Sequence, residues 1–283
     1  MTQVVRAIGD VRAQVGAARR RGEVVGLVPT MGALHEGHLS LLRTARPECG
    51  FVAISIFVNP TQFGPHEDLG AYPRDLERDV AAATSVGVDL VFAPSGGEMY
   101  PGEPLTTVRV AGLTERLCGP LRPGHFDGVT TVVAKLFGIF QPDRAYFGEK
   151  DFQQLQVIRR MVADLNMPLQ VVGCPTVREP DGLALSSRHR YLSPEERQVA
   201  PALYAALRAG AEIVRRGGSG REAEEAVRAA LATEPRFRLQ YVEALRPETL
   251  LPDDQPGPPL VIAAAAHLGT TRLVDNVVVR HQE

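Results

Sequence analysis

Val24-Val-Gly-Leu-Val-Pro-Thr-Met-Gly-Ala-Leu-His-Glu-Gly-His38 opens with an apolar run ending at Pro29 and passes through a glycine-containing loop. It then enters a helical pattern near Gly37, with Leu39, Leu41 and Leu42 on the apolar stripe. The stretch predicts strand, loop, helix. Its neighbour, Phe51-Val-Ala-Ile-Ser-Ile-Phe-Val58, is a nearly continuous run of β-formers that stops at Asn59-Pro60, as expected for a strand buried on both faces of a parallel sheet. Residues 74–86 read as a helix and Val88–Phe92 as the next strand. Residues 128–140 carry Val129, Val132, Val133, Leu136, Phe137 and Phe140 at helical spacing, and Arg144–Phe147 makes a short strand into Gly148. A helix over 151–165 and a strand at Val171-Val172 continue the alternation. This order predicts an α/β fold, a doubly wound parallel sheet over residues 1–175, with ligands at the strand carboxyl ends.

From Thr176 the pattern changes to a loop with Glu179-Pro-Asp-Gly182, helices near 194–216 and 220–232, a further segment Arg238–Leu245, and strands at 260–264 and 273–279 joined by a Gly-Thr-Thr turn. Residues 176–283 are therefore expected to form a smaller α+β domain. The 283-residue chain is 44% hydrophobic and 23% charged, as in ordinary globular proteins, and its net charge of -2 gives no basic field for nucleic acid. Cys49, Cys118 and Cys174 form neither a CxxC pair nor an even disulfide framework, which fits a reducing compartment. The N-terminus lacks a signal-peptide core and no run of about 18 apolar residues occurs, so the expectation is a cytoplasmic protein with a small-molecule partner and no membrane. Of the 31 cationic residues only Lys135 and Lys150 are lysine, which hints at a need for a compact ammonium at those positions.

His35 and His38 stand three apart at the strand-to-helix junction, on one side of a helical turn, where backbone N–H groups and the positive end of the helix dipole favour phosphate. A zinc pair and ordinary helix-start histidines are the other readings; the first lacks an HExxH pattern and an evident third ligand. Gly148-Glu-Lys-Asp151 ends another predicted strand and forms a second phosphate-handling loop, although Asp151 with Gln154 is also close to a helix capping box. Leu185-Ser-Ser-Arg188 offers hydroxyls and a guanidinium to phosphate oxygens, or is a solvated turn. Asn59 and Gln62 follow the second strand, where amides bind hydroxyls or a carboxylate without imposing charge; a plain Asn-Pro turn is the alternative.

Pro29-Thr-Met-Gly-Ala-Leu-His-Glu-Gly-His38, Phe57-Val-Asn-Pro-Thr-Gln-Phe-Gly64, Tyr72-Pro-Arg74, Arg122-Pro-Gly-His-Phe126, Phe147-Gly-Glu-Lys-Asp151 and Leu185-Ser-Ser-Arg188 together resemble the pantothenate synthetase family, the pantoate:beta-alanine ligases. The resemblance is dense from about residue 24 to 192 and looser to the C-terminus, whereas the H-x-G-H element alone implies only the wider nucleotidyltransferase superfamily. It implies a Rossmann-like ATP domain, a smaller C-terminal lid, a homodimer and dependence on Mg2+. It also implies ATP-driven formation of pantoyl adenylate, followed by attack of beta-alanine to give pantothenate, a coenzyme A precursor.

By resemblance the ATP site comprises Met31, Gly32, Ala33, Leu34, His35, Glu36, Gly37, His38, Gly148, Glu149, Lys150, Asp151, Val177, Leu185, Ser186, Ser187 and Arg188. Gln62 and Gln154, with Asn59, correspond to the pantoate site, and Gln62 also serves beta-alanine. The catalytic donors would be His38, which carries the family's proton-donor role, His35, Lys150, Ser186, Ser187 and Arg188. An aspartate such as Asp79 is one candidate magnesium ligand and phosphates with water are the alternative, so the ion's ligands stay open. Leu185, His189 and Phe152 depart from the usual methionine, asparagine and tyrosine without removing a charged group. A nucleotidyltransferase, a tRNA synthetase and a nucleotide-sensing module are the competing readings. Amides rather than extra cations at 59 and 62, the modest length and the paired histidines argue against each in turn.

Overall fold

The computed structural model describes residues 2–65, 67–253 and 255–281. The chain divides into two compact units, one of Met1–Ala111, Arg122–Glu149 and Val157–Pro175, the other of Gly112–Leu121, Lys150–Gln156 and Thr176–Glu283.

The first unit is built on strands β1 (Gln3–Val5), β2 (Val25–Thr30), β3 (Phe51–Ile56), β4 (Leu90–Phe92), β5 (Arg144–Gly148) and β6 (Gln170–Cys174). They form one six-stranded sheet in the order β1-β4-β3-β2-β5-β6, and every pair is parallel. Its helices are α1 (Ile8–Arg20), α2 (Glu36–Glu48), α3 (Leu76–Ser85), the single turn α4 (Gly96–Met99), α5 (His125–Phe140) and α6 (Phe152–Asp164), whose first residues belong to the second unit. Alternate residues of the central strands are buried on opposite faces, as the pleat requires. Val28, Val52, Ile54, Val91 and Tyr146 face Leu41, Leu42 and Ala45 of α2 and Ala83 of α3. On the other face the rings of Phe92 and Phe147 meet Phe140 and Phe137 of α5 at centroid distances of 5.8 and 6.5 Å.

The predicted alternation from β2 to β6 is present. Three helices and strands escaped it: β1, which has only three residues, two of them exposed; α1, which presents a polar outer face; and α4, a single turn of four residues. The helix expected from residue 74 starts at Leu76, where Asp75 accepts a hydrogen bond from the Arg78 N–H and caps it.

The second unit carries an antiparallel sheet, β7 (Phe237–Leu245), β8 (Leu260–Leu268) and β9 (Thr271–Val279), covered by α8 (Ala202–Arg215) and α9 (Gly220–Ala232). The helical pattern over 194–216 is two helices, α7 (Pro194–Val199) and α8, with Pro201 between them. Leu203, Leu207, Val214, Val227, Val242, Ile262 and Leu268 form its core.

In the first unit, α5 approaches the chain after β3 so closely that only a glycine fits at 128. A Cβ there would lie 2.4 Å from the Thr61 carbonyl oxygen and 2.7 Å from the Gln62 Cα. Both obstacles are backbone. Gly128→Ala is expected to destabilise the fold by about 1–3 kcal/mol through overpacking, measured by denaturant unfolding, and to shift the 59–62 segment; an unchanged midpoint would show that α5 yields there freely.

Candidate active site

The strand order reverses between β2 and β5, since the chain leaves β2 toward β3 and β4 on one side and β5 and β6 occupy the other. Ligands of open parallel sheets bind at such a point, beyond the carboxyl ends of the strands. The loops after β2, β3 and β5 leave that edge from three adjacent strands, and they contain residues 31–35, 57–63 and 149–151.

The β2 loop is held by one carboxylate. Asp79 of α3, 2% exposed, accepts hydrogen bonds from the Ala33 N–H at 2.8 Å and the Leu34 N–H at 2.7 Å. Gly32 and Ala33 have φ of 86° and 52°, and a Cβ on Gly32 would sit 2.8 Å from Asp79 Oδ2. The glycine thus supplies both the left-handed turn and the clearance for the clamp. Burial pushes the Asp79 carboxyl above its ordinary 3.8, against the pull of the two N–H donors. Both oxygens serve the loop, which gives Asp79 a structural role at this site. Among the described residues no cluster of three or more His, Cys, Asp or Glu could hold a metal.

Directly after the clamp, His35 caps α2. Its Nδ1 accepts from the Gly37 N–H at 3.1 Å, while its own backbone N–H donates to His38 Nδ1 at 3.3 Å. The two rings lie 4.2 Å apart. A ring that accepts at Nδ1 carries its proton at Nε2, so each neutral imidazole is set as an Nε2–H donor. The capping role occupies the Nδ1 atom of each ring, and it does not exclude the phosphate reading of the pair.

Asn59 and Gln62 come together in the β3 loop. Asn59 is 1% exposed and its Nδ2 donates to Gln62 Oε1 and to the Gly128 carbonyl, each at 3.1 Å. Gln62 Nε2 donates to Met31 Sδ at 3.2 Å. The start of α5 fixes the Gln62 backbone, because its carbonyl accepts from His125 Nδ1 at 2.8 Å. Arg122 Nη1 lies 2.9 Å from His125 Nε2, and a guanidinium only donates, so the His125 ring is neutral with its proton on Nδ1. Arg122 also forks onto Glu67 at 2.6 Å on both oxygens. Burial raises the Glu67 carboxyl, but the Arg122 hydrogen bonds and charge together bring it below 4.5.

Gly148 ends β5 and Glu149 opens the 3-10 turn after it, both in the first unit. Lys150, Asp151, Gln154, Val177, Leu185, Ser186, Ser187 and Arg188 belong to the second. Asn276 of β9 donates its Nδ2 to the Lys150 carbonyl at 2.9 Å, and the Lys150 side chain has no hydrogen bond or ion pair with a described residue. Neighbouring glutamines divide their work. Gln153, 6% exposed, binds the Cys118 N–H and the Leu113 and Arg116 carbonyls, whereas the half-buried Gln154 amide makes no such bond among the described residues.

Val177 and Leu185 face each other on a hairpin, with the Leu185 N–H donating to the Val177 carbonyl at 3.0 Å. Arg178 anchors it, through a fork onto Asp275 of β9 at 2.6 and 2.9 Å and a stack 3.6 Å over Tyr204. Ser186 Oγ caps the 3-10 turn Ser187–Tyr191 by accepting from the Arg188 N–H at 3.3 Å.

Sequence reasoning missed Asp79 as a clamp, His125, Tyr100, Arg178 and Asn276. Two signals were available: His125 lies in the Arg122-Pro-Gly-His-Phe126 motif, and Asp275-Asn276 is a polar pair within the apolar run Leu273–Val279.

Residues 3–278 match the model of the family described as pantoate-beta-alanine ligase. The chain belongs to this family. It is 55% identical over 281 residues to the pantothenate synthetase of Moorella thermoacetica, covering 98% of each chain. The crystal structure of pantothenate synthetase from Thermus thermophilus superposes with a TM-score of 0.94 at 53% identity, over 99% of this chain and 100% of that one. The pantoate-beta-alanine ligase of Francisella tularensis, complexed with beta-gamma ATP and beta-alanine, gives a TM-score of 0.81 at 33% identity over 98% of both chains. The doubly wound sheet with a smaller α+β unit is thus the family's fold.

Two outcomes follow from this geometry. Asp79→Asn turns an NH2 toward one of the two backbone donors, and is expected to cost about 1–3 kcal/mol of stability with a larger loss of turnover, read by denaturant unfolding and initial rates. The Arg122–Glu67 fork depresses a carboxyl pKa, so its stabilisation is complete above 4.5 and fades as pH falls through the lower folded value. Glu67→Gln should therefore flatten the acid limb of a stability-versus-pH curve; an identical limb would remove the pair from acid unfolding.

Proposed function

We infer that the chain joins pantoate to beta-alanine at the expense of ATP, releasing AMP and pyrophosphate. A pantoate carboxylate oxygen attacks the α-phosphorus, and the bond from that phosphorus to the bridging oxygen of pyrophosphate breaks. The beta-alanine nitrogen then attacks the acyl carbon, AMP departs with the carboxylate oxygen, and the amine loses a proton. The observation that carries this reading is the imidazole pair, two neutral rings whose Nδ1 atoms are committed to backbone N–H groups, in a member of this family.

Negative charge grows on the α-phosphoryl oxygens and on departing pyrophosphate, and donors already fixed in place meet it without reorganising. His35 and His38 are proposed as such donors, His38 nearest the proton transfer. Lys150, Ser186, Ser187 and Arg188 are assigned to phosphate oxygens, with Lys150 supported by an anchored backbone and an ammonium that bonds to no described residue. The loop residues Met31, Gly32, Ala33 and Leu34 and the first α2 residues Glu36 and Gly37, with Gly148, Glu149, Asp151, Val177 and Leu185, are proposed to shape the nucleotide site. Gln62 and Gln154 are proposed to hold pantoate, and Gln62 to lie near beta-alanine; their neutrality suits a hydroxy acid that must keep its carboxylate reactive.

Magnesium is proposed to arrive on the triphosphate and to be held by phosphate oxygens and water, since no cage of acidic side chains exists among the described residues. A homodimer and a cytoplasmic location are proposed on the family resemblance. No helix among the described residues is long and apolar enough to cross a membrane.

Exchange of labelled pyrophosphate into ATP, dependent on pantoate and proceeding without beta-alanine, tests the adenylate step. His38→Ala and Lys150→Ala are each expected to slow it by about a hundred- to a thousand-fold in a folded protein. Exchange that ignores pantoate would sink the mechanism, and near-normal exchange in either variant would remove that residue from it.

A further inference from the structure

Tyr100, at the end of α4, donates its hydroxyl to Asn59 Oδ1 at 2.9 Å, and Thr61 donates to the same oxygen at 3.0 Å. On the other side of that amide, Nδ2 serves the Gly128 carbonyl and Gln62 Oε1. An amide has two donor and two acceptor sites, so Asn59 is fully engaged. Its orientation is also determined, because the Gly128 carbonyl can only accept and must face the NH2. Asn59 in turn presents a donor to Gln62, which forces the Gln62 carbonyl inward and its NH2 toward Met31 Sδ. A thioether is a weak acceptor that a substrate oxygen would readily replace.

We propose that Tyr100 is a positioning residue, which acts through Asn59 to hold Gln62 with its NH2 outward as a donor to an oxygen of the acid substrate. This rests on the assignment of Gln62 to pantoate. Asn59 is then a relay rather than a ligand. The ring of Tyr100 is held from two sides, by Phe57 at a centroid distance of 6.3 Å and by Lys135, whose ammonium lies 5.2 Å from the ring centroid. This contact gives the second of the two lysines a place in the same assembly. Burial raises the phenol pKa, so the hydroxyl remains a donor throughout the neutral range.

Tyr100→Phe keeps the ring, its contact with Phe57 and its place under Lys135, and removes only the donor. Its expected effect is a rise of about tenfold in KM for pantoate, the equivalent of about 1.4 kcal/mol, with KM for ATP and the melting temperature nearly unchanged. In a Gln62→Ala background the same substitution should add nothing, because the group it orients is gone. A purely structural role would give the same effect in both backgrounds. Asn59→Asp offers Gln62 an acceptor in place of a donor and should turn the Gln62 carbonyl outward, raising KM for pantoate well beyond the Tyr100→Phe value in protein shown folded by its melting curve.

A raised KM in Gln62→Ala with a normal one in Tyr100→Phe would overturn the relay alone. An undiminished effect of Tyr100→Phe in the Gln62→Ala background would also overturn it. A normal KM for pantoate in Gln62→Ala would overturn the pantoate assignment and the relay with it.

Discussion

A single buried carboxylate sets the geometry from which the first unit's chemistry follows. Asp79 reaches from α3 to two consecutive backbone N–H groups of the β2 loop, and the loop can present them only because Gly32 and Ala33 turn left-handed. An ionised group with almost no solvent contact is costly unless its oxygens find donors. The clamp therefore binds both ways: the loop needs the carboxylate to hold a conformation its residues disfavour, and the carboxylate needs the loop to remain buried. What the pair delivers is the position of residue 35, where α2 begins and the imidazoles are mounted.

From there the donors are prepared by a repeated device. At His35, His38 and His125 a backbone group or a guanidinium occupies one ring nitrogen and thereby fixes where the proton sits. At Asn59 and Gln62 a carbonyl that can only accept fixes which way an amide points, and the constraint passes from one amide to the next. Donors fixed in this way spend little free energy reorienting when charge develops on a phosphate, which is where preorganisation is worth most. None of these groups needs a net charge. On the proposed assignment of Gln62 to pantoate, that matters beside a carboxylate that must act as a nucleophile, because a cation bound tightly to it would lower its reactivity.

The sheet was legible because its signal is local: five of the six residues of β3 are buried, and an uninterrupted apolar run says so without reference to the rest of the chain. The motif loops were legible for a similar reason, being short and dense in unusual residues. Clamps and relays were not, since Asp79 lies 45 residues from Leu34 and Tyr100 41 from Asn59, and nothing in linear spacing links them. An aspartate in the first turn of a helix and a tyrosine after a short one each have ordinary explanations. Asn59 shows the same limit from the other side. Its residue type suggested a ligand, and the four hydrogen-bond partners that hold it became visible only in the structure.

The two lysines in a chain of arginines acquire distinct physical reasons. Arginine's planar fork is used wherever a carboxylate can be gripped at two points, as at Arg122 with Glu67 and Arg178 with Asp275. Each of those guanidiniums is immobilised by its pair, which suits a strut and disqualifies it as a mobile phosphate contact. Lys150 differs in that its backbone is pinned by Asn276 while its ammonium makes no bond within the described residues. A compact, rotatable charge on a fixed stem can follow a phosphate oxygen as its bonds rearrange, where a fork would demand one geometry before and after transfer. Lys135 sits over a ring face, where an ammonium is attracted without competing for the phenol hydroxyl.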